Sequence, residues 1–415
     1  MPAGTRLKGA TLKLETYGIL NTSIINSSLR WEKSKSFEVG LDLGFLNNRF
    51  NLILDYYNRT TSDLLTNVNL PSYTGFDSFK TNLGTLRNSG FEVEGNLNLI
   101  TNRKGFNWDF SFNASYVRNK IIKLPYNGNE NNRQGGSQVW DPEQGKVVWV
   151  GGYQEGQTMG DMYAYQQIKV LRDQNEVQQL AGDYKDLVAG LYGPNVSEAD
   201  KKKYGLTKPI EEGDVLWADL NGDNIIDELD RVKVGNIYPK WTGGFSTTLS
   251  YKNVSLYGRF DFAVGHTILN MVSMRSLGQS VGFKNIISDG LASWTEENRD
   301  TNIPKLYYDD SSNKKNFYRS TTGQDITSSN NRSSLLYEKG DYLALRELTL
   351  SWKLPSKWIS KVHMTNASIY ITGQNLFYIT GYSGTSPEAP LVYPGVDTGR
   401  YPTPRTVLMG INVSF

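Results

Sequence analysis

The sequence has no cysteine in its 415 residues and only two histidines. Without thiols there is no disulfide framework, no cysteine nucleophile and no Cys-ligated zinc. His266 and His363 stand far apart in the chain, and no HExxH or GxxxxGK[ST] string accompanies them, so general-base and metal-hydrolase chemistry has little to draw on. We expect no enzyme. Charge of one sign is missing too: 44 Lys+Arg against 42 Asp+Glu leave a formal +2, too little for a basic field that would hold nucleic acid. No run of about 18 apolar residues occurs, which excludes a transmembrane helix. The opening residues, Met1-Pro2-Ala3-Gly4-Thr5-Arg6-Leu7-Lys8, lack the apolar stretch of a signal peptide.

What the sequence does have is rings among polar residues. Aromatics make up 12% of the chain, with 25 Tyr and 9 Trp, yet the mean hydropathy is negative. A barrel wall in a membrane has this composition, because each strand alternates lipid-facing apolar with lumen-facing polar residues and aromatics collect at the two interfaces. The alternation is legible. Phe37, Val39, Leu41, Leu43 and Phe45 are separated by Glu38, Gly40, Asp42 and Gly44. Further strands are expected at Phe50 to Tyr56, at Phe91 to Leu99, at Trp108 to Tyr116, at Phe245 to Tyr251 and at Val254 to Phe262. Three more follow near 343–353, 367–377 and 406–415. The first of these breaks phase at Arg346, where a bulge is expected, and a weaker strand is expected near Thr11 to Leu14.

The connections alternate in length. Those at 46–48, 101–105, 252–253 and 355–365 are short or moderate; those at 59–87, 119–242, 265–341 and 378–404 are long. Outer-membrane barrels pair short periplasmic turns with long extracellular loops in this way. A final alternating strand, Val407, Met409, Ile411, Val413 and a terminal Phe415, resembles the signal read by the outer-membrane assembly machinery, since an amphipathic closing strand can add edge-on to a growing sheet. The expected fold is therefore all-β, an antiparallel transmembrane β-barrel segment with long extracellular loops. Because an outer-membrane protein needs a leader, the chain is expected to begin partway through a longer precursor.

From Leu29 the residues become familiar: LRWE (29–32), GLDLGFLNNRFNLILDYYNRTTSDLL (40–65), NSGFEVEGNL (88–97), IYPKWTGGF (237–245), GDYLALRELTLSWKLP (340–355) and ITGQNLFYITGYSGTSPE (371–388) resemble, in order, blocks of the SusC/RagA transporters of Bacteroidota. The resemblance implies residues 1–415 are the C-terminal part of a 22-stranded TonB-dependent receptor barrel. It implies outer-membrane lipid as surroundings, a SusD-like surface lipoprotein as partner, and a TonB complex reached through an N-terminal part this chain does not include. A glycan, or failing that a peptide, is the implied cargo.

Three groups of residues could bear chemistry. Asp219, Asn221, Asp223, Ile225, Asp227 and Asp230, within the expected extracellular loop 119–242, have the spacing of a calcium loop at 219–230. Side-chain oxygens stand at positions 1, 3, 5, 9 and 12, and a backbone carbonyl at position 7. Asn224 replaces the usual Gly at position 6, and Asp230 the usual Glu at position 12, a shorter carboxylate that resembles the dockerin version of the loop. On the polar strand faces, Glu38, Asp42, Asp55, Glu92, Glu94, Asp109, Arg259 and Asp261 should face the lumen. Loop aromatics Trp140, Trp149, Tyr153, Trp294, Tyr307, Tyr308, Tyr393 and Tyr401 could stack on sugars, dock a lid protein or pack the loops. A competing expectation is a secreted soluble β-rich protein that binds calcium and glycans.

Overall fold

The computed structural model describes residues 26–69, 78–102, 105–180, 182–273, 288–307, 316, 317, 319, 332–388 and 395–415. The strand expected near Thr11 to Leu14 lies outside them. Nine strands form one antiparallel sheet in which chain neighbours are also sheet neighbours. They are β1 (Lys33–Phe45), β2 (Phe50–Asn69), β3 (Ser78–Ile100), β4 (Phe106–Lys123), β5 (Trp241–Tyr251), β6 (Val254–Val264), β7 (Tyr342–Lys353), β8 (Asn366–Thr380) and β9 (Thr406–Ser414).

The register puts like with like. Ile100, Trp108, Leu249, Leu256, Leu350, Ile371 and Met409 are successive cross-strand partners, an apolar row running over seven strands. Phe110, Phe245 and Phe260 continue the outward face, the last two rings stacked at 4.6 Å between centroids. Ile100, Trp108, Leu256, Leu350, Ile371 and Met409 are exposed to the surroundings and the others partly so, and Phe37, Phe91, Ile379 and Val407 are each more than half exposed. In water such a face would be a severe aggregation hazard; against lipid it is a solvated surface.

Aromatics mark both margins of that surface. Tyr56, Phe91, Tyr116 and Trp241 are partners in one row, with Tyr116 and Trp241 5.0 Å apart. Phe106 and Tyr251 pair at the other end, where Trp352 meets Trp358 edge-on at 5.9 Å. Along β5 the two rows are separated by ten residues, from Trp241 to Tyr251. That is roughly 33 Å of strand, or about 25 Å of height at a tilt of about 40°, the apolar thickness of an outer membrane.

Turn chemistry explains the short connections. Leu46, Asn47 and Asn48 all take the left-handed conformation (φ 51°, 53° and 61°), and Lys252 does so (φ 54°) in the two-residue hairpin Lys252-Asn253. The expected bulge is present: pairing of β7 with both neighbours skips Arg346. One expectation needs correction. Residues 59–87 are not simply a loop, because β2 and β3 stay paired up to Asn69 opposite Ser78. At 20 and 23 residues these strands are about twice what a membrane crossing requires, so the hairpin stands well above the margin set by Tyr56 and Phe91.

Candidate functional site

The inward face of the sheet is polar, and the same alternation that faces apolar residues outward builds it. Glu94, Asn113, Gly244, Asp261 and Ala344 are successive partners in one row; Asn96, Ser111, Ser246, Arg259 and Glu347 form the next. Small residues in the middle of both rows leave a groove of about 460 Å³, lined by the first four positions of each row and by Arg346. Of the eight charges expected on the lumen face, Glu94, Arg259 and Asp261 meet here. Elsewhere on the face Glu38 lies 3.7 Å from Arg59, and Asp55 is directly opposite Glu92, whose carboxylate accepts from the Ser115 hydroxyl. No ion pair reaches Asp42, Asp55, Glu92, Glu94 or Asp109 among the described residues.

Arg346 is the hub of the groove. Its guanidinium donates through Nε and Nη2 to Asp261 of β6, through Nη1 to the Tyr378 hydroxyl of β8 at 3.0 Å, and through Nη2 to Glu388 of the connection after β8. Tyr378 in turn donates to Glu388 at 2.8 Å. Asp261 and Tyr378 flank Ala344 in the register, and that small side chain leaves the space the arginine fills. Arg259 is less engaged: it is more than half exposed and 3.9 Å from Glu347.

The connection from β4 to β5 is an ordered body. Residues 124–240 carry short strand pairs and two capped helices, Gln174–Gln178 behind Asp173 and Glu198–Tyr204 behind Ser197. Tyr165, Leu171, Val177, Leu191, Val215, Trp217 and Ile226 close a core of their own. Into it reaches Arg319 from the connection between β6 and β7. It pairs with Asp186 at 2.6 Å, both side chains wholly buried, and lies 4.1 Å over the Trp217 ring. Leaving one member of such a pair alone in a core costs about 3–5 kcal/mol, so this contact fastens one long connection to the other.

The expected calcium loop lies at the edge of that core. Its oxygens are engaged by backbone amides. Asp219 accepts from Gly222 and Asn224, Asn221 from Asp223, Asp223 from Ile225, Asp227 from Leu229, and Asp230 from Leu220 and Asp227. Among the described residues no three His, Asp or Glu side chains form a metal-holding group, so the loop as it stands is closed on its own backbone. Asn224 takes the left-handed conformation (φ 61°) that the sixth position needs. Burial pushes the Asp230 carboxyl up to about 7, with Asp227 and Asp219 adding repulsion.

The remaining residues scatter. Trp294 is buried with its indole N–H on the Arg172 carbonyl at 3.1 Å, Tyr307 donates to Asp214, and Arg133 covers Trp149 at 3.6 Å, so these three pack loops. Tyr153 is half-exposed and Tyr401 fully exposed; Tyr308 and Tyr393 lie outside the described residues. His266 and His363 sit at opposite ends of β7, one beside Gly340 and one in the turn to β8. The string GQSVG at 278–282 has the spelling of a nucleophile elbow. It lies outside the described residues. In β9, Val407, Met409, Ile411 and Phe415 are mostly exposed and Val413 partly so. One side of that strand pairs with β8, and its other edge has no partner among the described residues.

Known proteins give this geometry a family. The model for the TonB dependent receptor-like β-barrel matches residues 2–376. TonB-dependent receptor P3 of Formosa agariphila is 31% identical over 408 residues, covering 96% of this chain and 36% of the relative. TonB-dependent receptor SusC of Bacteroides thetaiotaomicron is 26% identical, covering 96% and 33%. Among solved structures, the RagAB peptide importer in its closed-closed state superposes with a TM-score of 0.63 at 26% identity, over 94% of this chain and 36% of that one. The chain thus spans about a third of the length of the relatives it matches. A nine-stranded meander with an apolar band, aromatic margins and long connections on one side is what a third of such a protein should look like, and the chain belongs to the TonB-dependent receptor β-barrel family, outer-membrane transporters rather than enzymes.

Proposed function

We propose that the chain is the C-terminal part of the barrel of a SusC/RagA-like importer, which takes up a nutrient through the outer membrane with energy from TonB. A SusD- or RagB-like surface lipoprotein serves as its partner at the extracellular mouth. The observation that carries this reading is the two-faced sheet: an outward apolar band of membrane height, with a groove on the inner face that presents amides, hydroxyls and charges of both signs. Such a lining suits a polar oligomer rather than an apolar one. The cargo is a glycan on the resemblance to SusC, and a peptide on the likeness to the RagAB importer. Labelled oligosaccharides and peptides offered to cells with and without the gene, and with and without TonB, should show one cargo class whose uptake falls to background in both deletions. Uptake of every cargo at the normal rate in both would remove the reading.

We further propose that the loop 219–230 binds Ca²⁺ and is ordered by it. What supports this is the left-handed Asn224 and the mutual repulsion of its carboxyls, which raises both Asp227 and Asp230 after burial has done so. A cation would relieve that repulsion. Chelator should then increase protease cutting within 124–240 while the barrel wall stays intact, and Asp219→Ala with Asp223→Ala should raise cutting and abolish the chelator effect. Since bound calcium requires ionised carboxylates, the chelator effect should weaken as pH falls. A wild-type loop whose digestion ignores chelator at pH 8 contradicts the proposal.

A further inference from the structure

We propose that Arg346 is a site for a carboxylate carried by the cargo, occupied in the resting protein by Glu388, and that a cargo carboxylate frees the stretch around Glu388 by taking its place. This rests on the import reading and narrows it to an acidic oligomer.

The bulge is what makes the site. With Leu345 paired to Phe260 and Phe377, and Glu347 to Arg259 and Gln374, the extra residue Arg346 is released from the ladder on both sides, and its side chain is among those lining the groove. Its two carboxylate partners differ in kind. Asp261 belongs to β6, takes both Nε and Nη2, and itself lines the groove. It is a fixed part of the wall. Glu388 belongs to a connection, meets Nη2 alone and does not line the groove. Two carboxylates on one guanidinium leave an excess negative charge, so the second is the more weakly held, while the planar fork keeps the geometry that fits any carboxylate. A ligand moving along the groove also meets Arg259, the more exposed guanidinium of the neighbouring row.

Replacement keeps the positive charge of Arg346 compensated to the same extent when the newcomer is a carboxylate and not when it is neutral. An acidic cargo therefore has different affinities for the two states of Glu388, which is what shifts an equilibrium; a neutral cargo does not. The effect should be local. Ser383 is tied to Glu338 and Tyr382 to Asp397, contacts in which Arg346 takes no part, so the loosening is confined to the turn from Gly384 to Glu388, which keeps the contacts of its Pro387 and Glu388 carbonyls with His266 and Arg400.

The carboxylate could come from a uronate-bearing oligosaccharide or from a peptide C-terminus. Hydrogen exchange over 384–388, measured on the full-length protein in detergent, separates the sources: an oligouronate against its carboxyl-reduced counterpart, and a short peptide against its C-terminal amide. The acidic member of one pair should raise exchange there and its neutral twin should not. Glu388→Gln should raise exchange about tenfold without ligand, from loss of a charged hydrogen bond, and ligand should add nothing further. If that variant loses the heat-modifiable migration of a folded barrel, Tyr378→Phe, which removes one bond to Glu388, should give a smaller rise. Equal responses to acidic and neutral members of both pairs overturn the proposal and leave import standing where uptake in cells persists. Normal uptake in cells lacking the gene would instead sink the import reading itself.

Discussion

Replacing Val413 and Phe415 together with aspartate in the full-length protein should lower its level in the outer membrane about tenfold or more, the combined cost expected of two acidic residues on the lipid face near an interface. The closing strand has little else to recommend it to the membrane. Val407, Met409 and Ile411 face outward, each well over half exposed, and Ile411 and Met409 lie opposite Ile369 and Ile371 of β8. Val413 and Phe415 extend that stripe to the end of the chain. On the other face a Cβ at Gly410 would lie 2.4 Å from the Tyr370 ring, so the glycine leaves room for that ring on β8. Aspartate at 413 and 415 removes the apolar stripe where the strand must enter the sheet last, with no water at hand to satisfy a misplaced strand edge. Asn412→Asp, on the polar face, is the control and should leave the level unchanged. Membrane fractionation with immunoblotting and heat-modifiable migration reads both variants. A normal level of folded protein in the double variant would remove the assembly role of the C-terminal strand.

Much of the wall could be read from the sequence because the membrane imposes a period of two on every strand that crosses it. That constraint also exposed the bulge, since one extra residue at Arg346 flips the phase of all that follow. Where the constraint ends, legibility ends. The upper halves of β2 and β3 stand above the apolar band, need no greasy face, and so looked like loop between Arg59 and Arg87. The body at 124–240 was hidden for a related reason: its strands are two to six residues long, too short to show a period. Its core also draws on residues as far apart as Tyr165 and Ile226. Pairing of Asp186 with Arg319 spans 133 positions, and nothing local announces it. The groove was half legible. Glu94, Arg259 and Asp261 follow from alternation, but Arg346 is legible only as a phase break, and Glu388 only as the end of a family-like block. Their meeting depends on how the last connection folds back.

The sidedness of the connections follows from the same two-faced sheet, and it should appear as an all-or-none contrast. The chain has no native cysteine, so it adds no background of its own to single-cysteine labelling. The hairpin turns at Asn47 and Asn253 lie beyond one aromatic margin, while the body at 124–240 and the described residues of the connection at 265–341 lie beyond the other. About 25 Å of hydrocarbon separates the two sets, which a charged maleimide does not cross. The most direct measurement is therefore labelling of the full-length protein in intact cells with a membrane-impermeant maleimide, one cysteine at a time. Exposed sites such as Tyr153 and Glu198 should label fully, whereas Asn47 and Asn253 should label only after the outer membrane is opened. Equal labelling of both sets in intact cells would contradict a wall that spans the outer membrane with its long connections outside.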